Sequence, residues 1–312
     1  MISRGSAVIG AVDIGGTKIA VGAIDGDGKV LAREESATSA QDGFDAAMGR
    51  ISSMLRSVSS RAGAQLHGIG IGCTGPVDPY SGQIGTVDFL PGWQGCNPVQ
   101  TLAARFQLSV VMENDADAAV LGESRWGAGR TAHALIYVTI GTGIGGGIVL
   151  NGSLYRGAKG THPEIGHHVI DPAGALCFCG ARGCWEVLAR GPAMEERVRS
   201  AAPPEYPHRD TLTAKDICFL ARRGDPVALD EIARESRYLG VGVANLVTLF
   251  APDLIVLGGG VMNGADLFLP TIRQYVRESC RLIEPHSVQV VTSSLGVDAA
   301  LIGAAAVWHQ RN

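Results

Sequence analysis

Apolar runs of strand length alternate with glycine-rich turns and one-faced helical stretches along the chain, a pattern that predicts an α/β fold. Residues 7–12 form the first apolar run, which ends in Asp13-Ile14-Gly15-Gly16-Thr17-Lys18. Residues 19–24 return from that turn, and Asp25-Gly26-Asp27-Gly28 leads into a third strand near residues 29–35. Phe44, Ala47, Met48, Ile51, Leu55 and Val58 recur at helical spacing and predict a one-faced helix over residues 41–58. Leu66–Cys73 reads as a buried strand that empties into Thr74-Gly75-Pro76-Val77-Asp78. Gly92-Trp93 reads as a surface turn with an anchoring ring. A helix around Pro98–Phe106 and a strand over residues 109–112 deliver Glu113-Asn114-Asp115-Ala116-Asp117 to a helix running to about Trp126.

The next strand, residues 133–140, opens into a turn containing Gly141-Thr142-Gly143, and residues 148–150 resume the strand before Asn151-Gly152. Strand, Gly-Thr-Gly turn, strand repeats the layout of residues 7–24 and predicts an internally duplicated fold. Pro192 starts a helix, residues 203–207 form a loop, and residues 213–222 form another helix. Asp225-Pro226 is an N-cap followed by an N1 proline. The helix it starts is apolar all round in its second half, hence buried, and Pro252 stops it. A core strand over residues 254–257 ends in Gly258-Gly259-Gly260. An amphipathic helix over residues 267–282, a strand over 287–292 and a small-residue helix over 298–308 close the chain.

A chain of 312 residues exceeds one ordinary core, so two domains are expected. The expected division is residues 1–115 plus 298–312 as a small N-terminal α/β domain and 116–297 as a larger one, with the crossing near residue 115. Gly 43 and only 18% charged residues fit a well-buried α/β chain with many turns. A net charge of −4 recommends neither nucleic acid nor an anionic membrane as partner. No run of 18 apolar residues occurs, and the apolar start that contains Arg4 soon meets Asp13, unlike a signal peptide. Seven cysteines without regular pairing fit a reducing compartment, so the expected location is cytoplasmic.

Three of those cysteines, Cys177, Cys179 and Cys184, follow His167 closely. Thiolates and an imidazole at this spacing are the ligand set of a closed structural Zn²⁺ site. Glu164 and Glu186 flank it, and a metal that ties the loop down fixes where those carboxylates point. The turn after the first strand offers a phosphate cradle. The backbone N–H groups of Gly15 and Gly16 can approach oxyanions, Thr17 and Lys18 add a hydroxyl and a cation, and Asp13 can hold Mg²⁺ through water. Three glycines at 258–260 leave room for a ring or ribose against the backbone. At residues 114–115 two readings stand side by side. Asp115 can cap the helix, or Asn114 binds a hydroxyl while Asp115 takes its proton; position does not choose. Asp117 reads as a first-turn carboxylate, and His162 and His168 as loop histidines.

Together, D-I-G-G-T-K at 13–18, T-G-P-V-D at 74–78, E-N-D at 113–115, G-T-G-I-G-G-G at 141–147, E-I-G-H at 164–167, C-F-C-G-A-R-G-C-W-E at 177–186 and G-G-G-V at 258–261 resemble the ROK family of repressors, open reading frames and kinases. The motifs occur in that family's order over almost the whole chain. The resemblance implies an actin-like, hexokinase-like (ribonuclease H-like) duplicated fold of two domains, with ATP and a sugar meeting in the interdomain cleft, and homodimers or homotetramers. Carried over residue by residue, it implies Asp115 as the catalytic base. It implies Gly75, Asn114, Glu164, His167 and Glu186 as sugar contacts, and His167, Cys177, Cys179 and Cys184 as zinc ligands. Asp13, Gly15, Gly16, Thr17 and Lys18 match the first phosphate segment, Thr142 and Gly143 the second, and Gly259-Gly260 the adenosine segment. The implied cofactors are ATP with Mg²⁺ and a structural Zn²⁺, and the implied activity is phosphorylation of glucose on its 6-hydroxyl.

One departure bears on the acceptor. His162-Pro163 before Glu164 looks more like fructokinase members of the family, whereas the cysteine spacing resembles glucokinases and N-acetylmannosamine kinases. N-acetylglucosamine and mannose are further alternatives, as is a polyphosphate donor. Family repressors carry a helix-turn-helix ahead of the cradle; here the cradle falls in the first strand, so no DNA partner is expected. A sugar-binding protein without catalysis is the remaining alternative, and it predicts loss of Asp115 or of cradle residues.

Overall fold

The apolar run ahead of the first glycine turn forms β1 (Val8–Ile14), and β2 (Lys18–Ile24) returns antiparallel to it. In this computed structural model the described residues are 7–206, 208–284 and 287–312. The readings that involve Arg4 and Pro207 therefore lie outside them. β3 (Val30–Ala37) pairs antiparallel with β2, while β4 (Leu66–Cys73) and then β7 (Ser109–Asn114) add in parallel, giving the order β3-β2-β1-β4-β7. A short hairpin between them, β5 (Val77–Asp78) and β6 (Gln83–Ile84), has no counterpart in the sequence reading. Two residues per strand carry too little periodicity to be seen.

Helix α1 (Phe44–Ala62) puts Met48, Ile51, Leu55 and Val58 into the core with Ile69 and Ile71 of β4. It starts later than residue 41 because residues 40–42 make a 3₁₀ turn that ends at Gly43. The alternate residues of β4 are glycines, and they receive α9 (Ala299–Arg311) and α3 (Asp115–Trp126). A Cβ at Gly70 would stand 1.8 Å from the Ala304 carbonyl oxygen, and one at Gly303 2.0 Å from that of Ala118. Only glycine lets these backbones approach so closely. Trp93 anchors its turn as expected, between exposed Gly92 and Gln94. It is fully buried, packs edge-on against Phe44 with centroids 5.4 Å apart, and donates its indole N–H to Ala40 O at 3.3 Å. α2 (Pro98–Phe106) is capped by Asn97, whose side chain accepts from the Gln100 N–H at 2.8 Å.

A second five-stranded sheet has the order β10-β9-β8-β11-β12, formed by β8 (Ala134–Ile140), β9 (Ile144–Leu150), β10 (Ser153–Leu154), β11 (Leu254–Gly258) and β12 (Gln289–Thr292). β8–β11 and β11–β12 pair in parallel, so the first sheet's arrangement recurs. This is the duplicated actin-like, hexokinase-like architecture expected from the paired hairpins. Its helices are α4 (Trp185–Ala189), α5 (Gly191–Ala201), α6 (Ala214–Arg222), α7 (Pro226–Phe250) and α8 (Ala265–Ser279). Asp225 caps α7 as its sequence predicts, accepting from the Ala228 N–H at 2.8 Å. The first half of α7 buries Glu231 and Glu235, which Arg197 of α5 pairs at 2.7 and 2.5 Å. Burial still pushes Glu235 up to about 8.

The chain divides into two compact units. The first comprises Met1–Thr131, Gly147–His162 and Asp298–Asn312; the second comprises Ala132–Gly146 and Pro163–Val297. Among the described residues, no helix is long and apolar enough to cross a membrane.

Candidate active site

In the first unit the register across β1, β4 and β7 sets Ile14, Cys73 and Asn114 side by side at the strands' carboxyl ends. Ligands of open α/β sheets bind outside such ends. Asp13 precedes Ile14, Gly75 follows Cys73 by two residues, and Asp115 follows Asn114. The helix cap belongs to Asn114 rather than to Asp115. The Asn114 Oδ1 accepts from the Ala116 N–H at 2.9 Å and the Asp117 N–H at 3.4 Å. That oxygen is committed, so what Asn114 has left to offer is its amide N–H₂, a donor. A Cβ on Gly75 would lie 2.9 Å from the Asn114 Nδ2.

Asp115 is the first residue of α3, and its Oδ1 accepts from the Ala116 N–H at 2.8 Å. Burial raises its carboxyl above the usual range; the Ala116 N–H and His162 pull it back, and Asp117 adds to the rise. Burial and the nearby Asp115 charge push Asp13 up to about 7, with Lys18 and Arg33 opposing. Between these carboxylates, Cys73 is fully buried, and burial, Asp115 and Asp13 push its thiol well up. The Gly15–Lys18 turn closes on itself through the Gly15 N–H to Lys18 O at 2.9 Å, and Thr38 Oγ1 braces it at Gly15 O at 2.7 Å. Lys18 Nζ stands 3.2 Å from Glu35 on the surface. Arg33 joins Glu35 at 2.5 Å to Asp298 at 2.9 Å.

The raised Asp13 carries a stability consequence. Its ordinary value is 3.8 and its folded value about 7, so ionised Asp13 opposes folding fully above about pH 7 and the penalty fades below about pH 4. Asp13→Asn is expected to raise Tm at pH 8 by roughly 2 °C or more and to leave it unchanged at pH 4. Thermal melts across that range measure it, and an equal shift at both ends would contradict the assignment.

In the second unit the donor atoms of His167, Cys177, Cys179 and Cys184 all lie within 4.8 Å of one another. Cys179 and Cys184 sulfurs are 3.5 Å apart, and the Cys177 sulfur is 3.5 Å from His167 Nδ1. A tetrahedral Zn²⁺ with Zn–S of about 2.3 Å and Zn–N of about 2.0–2.1 Å sets edges of roughly 3.8 Å and 3.6 Å, so the set fits with little adjustment. Burial and the neighbouring thiols push Cys184 up to about 12, a repulsion that a divalent cation among the four reverses. With Nδ1 on the cluster side, His167 keeps Nε2 for another partner. The tight turn depends on Gly183, where φ is +69° and a Cβ would sit 1.5 Å from Asp171 O.

Immediately after Cys184, α4 begins. Trp185 is buried against Gly242 of α7, and the next side chain, Glu186, reaches the β8–β9 turn. Its Oε2 accepts from the Ile144 N–H at 2.8 Å. Thr142 and Gly143 occupy that turn. Gly259 and Gly260 leave β11 just after Gly258, which pairs with Thr139 of β8. Glu164 opens the 3₁₀ turn Ile165–His167, and its carbonyl accepts from the His167 N–H at 3.0 Å.

Sequence reasoning missed two buried pairings beside Asp115. Asp117 is 1% exposed and its Oδ2 lies 2.9 Å from His162 Nδ1, so neither is a plain surface residue. Glu113, also buried, pairs with both Arg156 and Arg311. A glutamate at the end of an apolar strand is the available signal, since a buried carboxylate requires a cationic partner; the identity of that partner is set only by the fold.

The description "ROK family" is that of the family model that matches residues 9–311. A glucokinase of Streptomyces coelicolor is 37% identical over 308 residues, covering 94% of this chain and 95% of that protein. A glucokinase of Thermotoga maritima is 33% identical over 313 residues, covering 96% of each. The crystal structure of a ROK family glucokinase from Streptomyces griseus, in complex with glucose and AMPPNP, superposes with a TM-score of 0.83 at 36% identity, covering 96% of this chain and 98% of that one.

Proposed function

The chain belongs to the ROK family, and on that premise we propose that it is a glucokinase that transfers the γ-phosphate of ATP to the 6-hydroxyl of glucose, with Asp115 as general base. It is an ATP-dependent sugar kinase; the choice of glucose leans on its glucokinase relatives. The observation that carries the reading is the placement of Asp115. It stands just past the carboxyl end of a parallel strand, shares the Ala116 N–H with the N-cap Asn114, and is made more basic by burial. In the reaction its carboxylate takes the hydroxyl proton as the sugar oxygen bonds to Pγ and ADP leaves.

The other roles follow from the residue types. Asn114, Gly75, Glu164, His167 and Glu186 contact the sugar, Asn114 as a donor. Gly16, Thr17 and Lys18 are suited to hold phosphate oxygens, with Gly15 closing their turn through its N–H to Lys18 O; Thr142 and Gly143 form a second phosphate segment, and Gly259-Gly260 accommodate adenosine. Asp13 is suited to a hydrated Mg²⁺, which when bound offsets charge on the phosphates. A Zn²⁺ held by His167, Cys177, Cys179 and Cys184 has four protein ligands and no open position, so its contribution is to position the loop.

The test is ADP release from MgATP with glucose, mannose, fructose, N-acetylglucosamine and N-acetylmannosamine, repeated with polyphosphate. Glucose is expected to give the highest kcat/KM. Fructose in first place would shift the acceptor to the one suggested by His162-Pro163. Silence with every sugar and both donors would overturn the kinase reading.

A further inference from the structure

The β8–β9 turn is rich in glycine and closes on itself through the Gly141 N–H to Gly143 O at 2.9 Å, and both its ends are also held by the segment that follows the cysteines. At one end the Gly191 N–H, just beyond α4, donates to Gly141 O at 2.8 Å. At the other the Glu186 carboxylate accepts from the Ile144 N–H at 2.8 Å. A Cβ on Gly143 would stand 2.5 Å from the same Glu186 oxygen, so the carboxylate lies directly against the turn. The mount beneath Glu186 is rigid, because Trp185 is fully buried and its ring fills the space where Gly242 lacks a side chain.

A carboxylate is a costly neighbour for a phosphate-binding turn, since it repels the ligand's charge. Its presence is accounted for if one oxygen fixes the turn while the other remains available to a sugar hydroxyl. We propose that Glu186 is a positioning residue for the phosphate-binding turn, and that through it sugar occupancy and nucleotide affinity are coupled. This rests on the functional reading above and adds to it a regulation of that site. A bound sugar holds the carboxylate in place, so the turn is already ordered when the nucleotide arrives. Thermodynamic reciprocity then requires nucleotide to tighten sugar binding by the same factor.

Calorimetric titration of MgADP and of glucose, each alone and each with the other saturating, tests the proposal. In the wild type MgADP is expected to bind at least about fivefold more tightly with glucose present. Glu186→Ala removes the acceptor for the Ile144 N–H, and MgADP affinity without any sugar is expected to fall about tenfold. Glu186→Gln keeps an oxygen for that N–H and is expected to hold MgADP within about twofold of wild type while still weakening glucose. The reciprocal variant is Gly143→Ala, whose methyl displaces the Glu186 carboxylate. It is expected to weaken glucose binding with no nucleotide present. Circular dichroism and metal content establish that each variant is folded, and Glu186→Gln with Gly143→Ala decide the matter if Glu186→Ala is not. Wild-type affinity for MgADP in Glu186→Ala, or for glucose in Gly143→Ala, would overturn the coupling. A wild type that binds MgADP but no sugar from the panel would instead overturn the functional reading.

Discussion

Asp115→Asn is expected to lower kcat by about 10²–10⁴-fold, the usual contribution of a general base, while MgATP affinity and the fold stay at wild-type levels. The substitution is nearly isosteric. The α3 cap survives it because Asn114 accepts from both the Ala116 and Asp117 N–H groups, and the amide oxygen of the new Asn keeps the share of the Ala116 N–H that Asp115 Oδ1 takes. What disappears is the only function an amide cannot supply, acceptance of a proton from a hydroxyl. Because burial raises the Asp115 carboxyl, the wild type should lose activity on acidification at a pH above the ordinary carboxylate range. kcat and kcat/KM should fall together in the variant, as they do when an interaction made in the transition state is removed. Single-turnover kinetics beside MgATP titration measures both. A variant within about fivefold of wild type, far short of a base's usual worth, would demote Asp115 to a first-turn carboxylate. Asp13, whose own value is pushed up to about 7, would become the next residue to test.

Loss of the proposed Zn²⁺ is expected to be the second large effect. Elemental analysis is expected to find zinc equimolar with chain, and Cys184→Ser to remove most of it. Cys184 is buried, with its sulfur 3.2 Å from His167 O, and the next residues are the Trp185 anchor and Glu186. Structural zinc contributes roughly 10–16 kcal/mol of apparent binding free energy in small zinc-finger peptides. Even a modest share of that should lower Tm by about 10 °C. Glu164, His167 and Glu186, the proposed sugar contacts, belong to the same segment, so KM for the sugar should rise well before MgADP affinity collapses. A chelated, metal-free protein with unchanged Tm and KM would contradict the positioning role.

Both hairpins, the α7 cap and the cysteine–histidine set were legible in the sequence because each is local. A glycine turn between two apolar runs, an Asp-Pro pair ahead of helical periodicity, and three cysteines and a histidine within eighteen positions declare themselves over a short window. What escaped depends on residues far apart in the chain. The Glu186–Ile144 contact spans 42 positions, and Glu113 reaches Arg311 across 198. Asp117 and His162 looked like an ordinary first-turn acid and a loop histidine because only the fold buries them together. The cap was ambiguous for a different reason. Asn and Asp are both good N-caps, and a difference of one residue in where the backbone turns helical decides between them.

The helix α9 closes the first unit, yet it is synthesised after the whole of Pro163–Val297. Gly70 of β4 and Gly122 of α3 are shaped to receive it, and until it docks their sheet and helix surfaces face water. The first unit therefore waits, incomplete, while the second emerges from the ribosome. Its interval of exposed apolar surface is set by translation at about 5–20 residues per second rather than by its own collapse. Chaperone engagement with this protein should concentrate in that interval, on the face of β4 that α9 will cover.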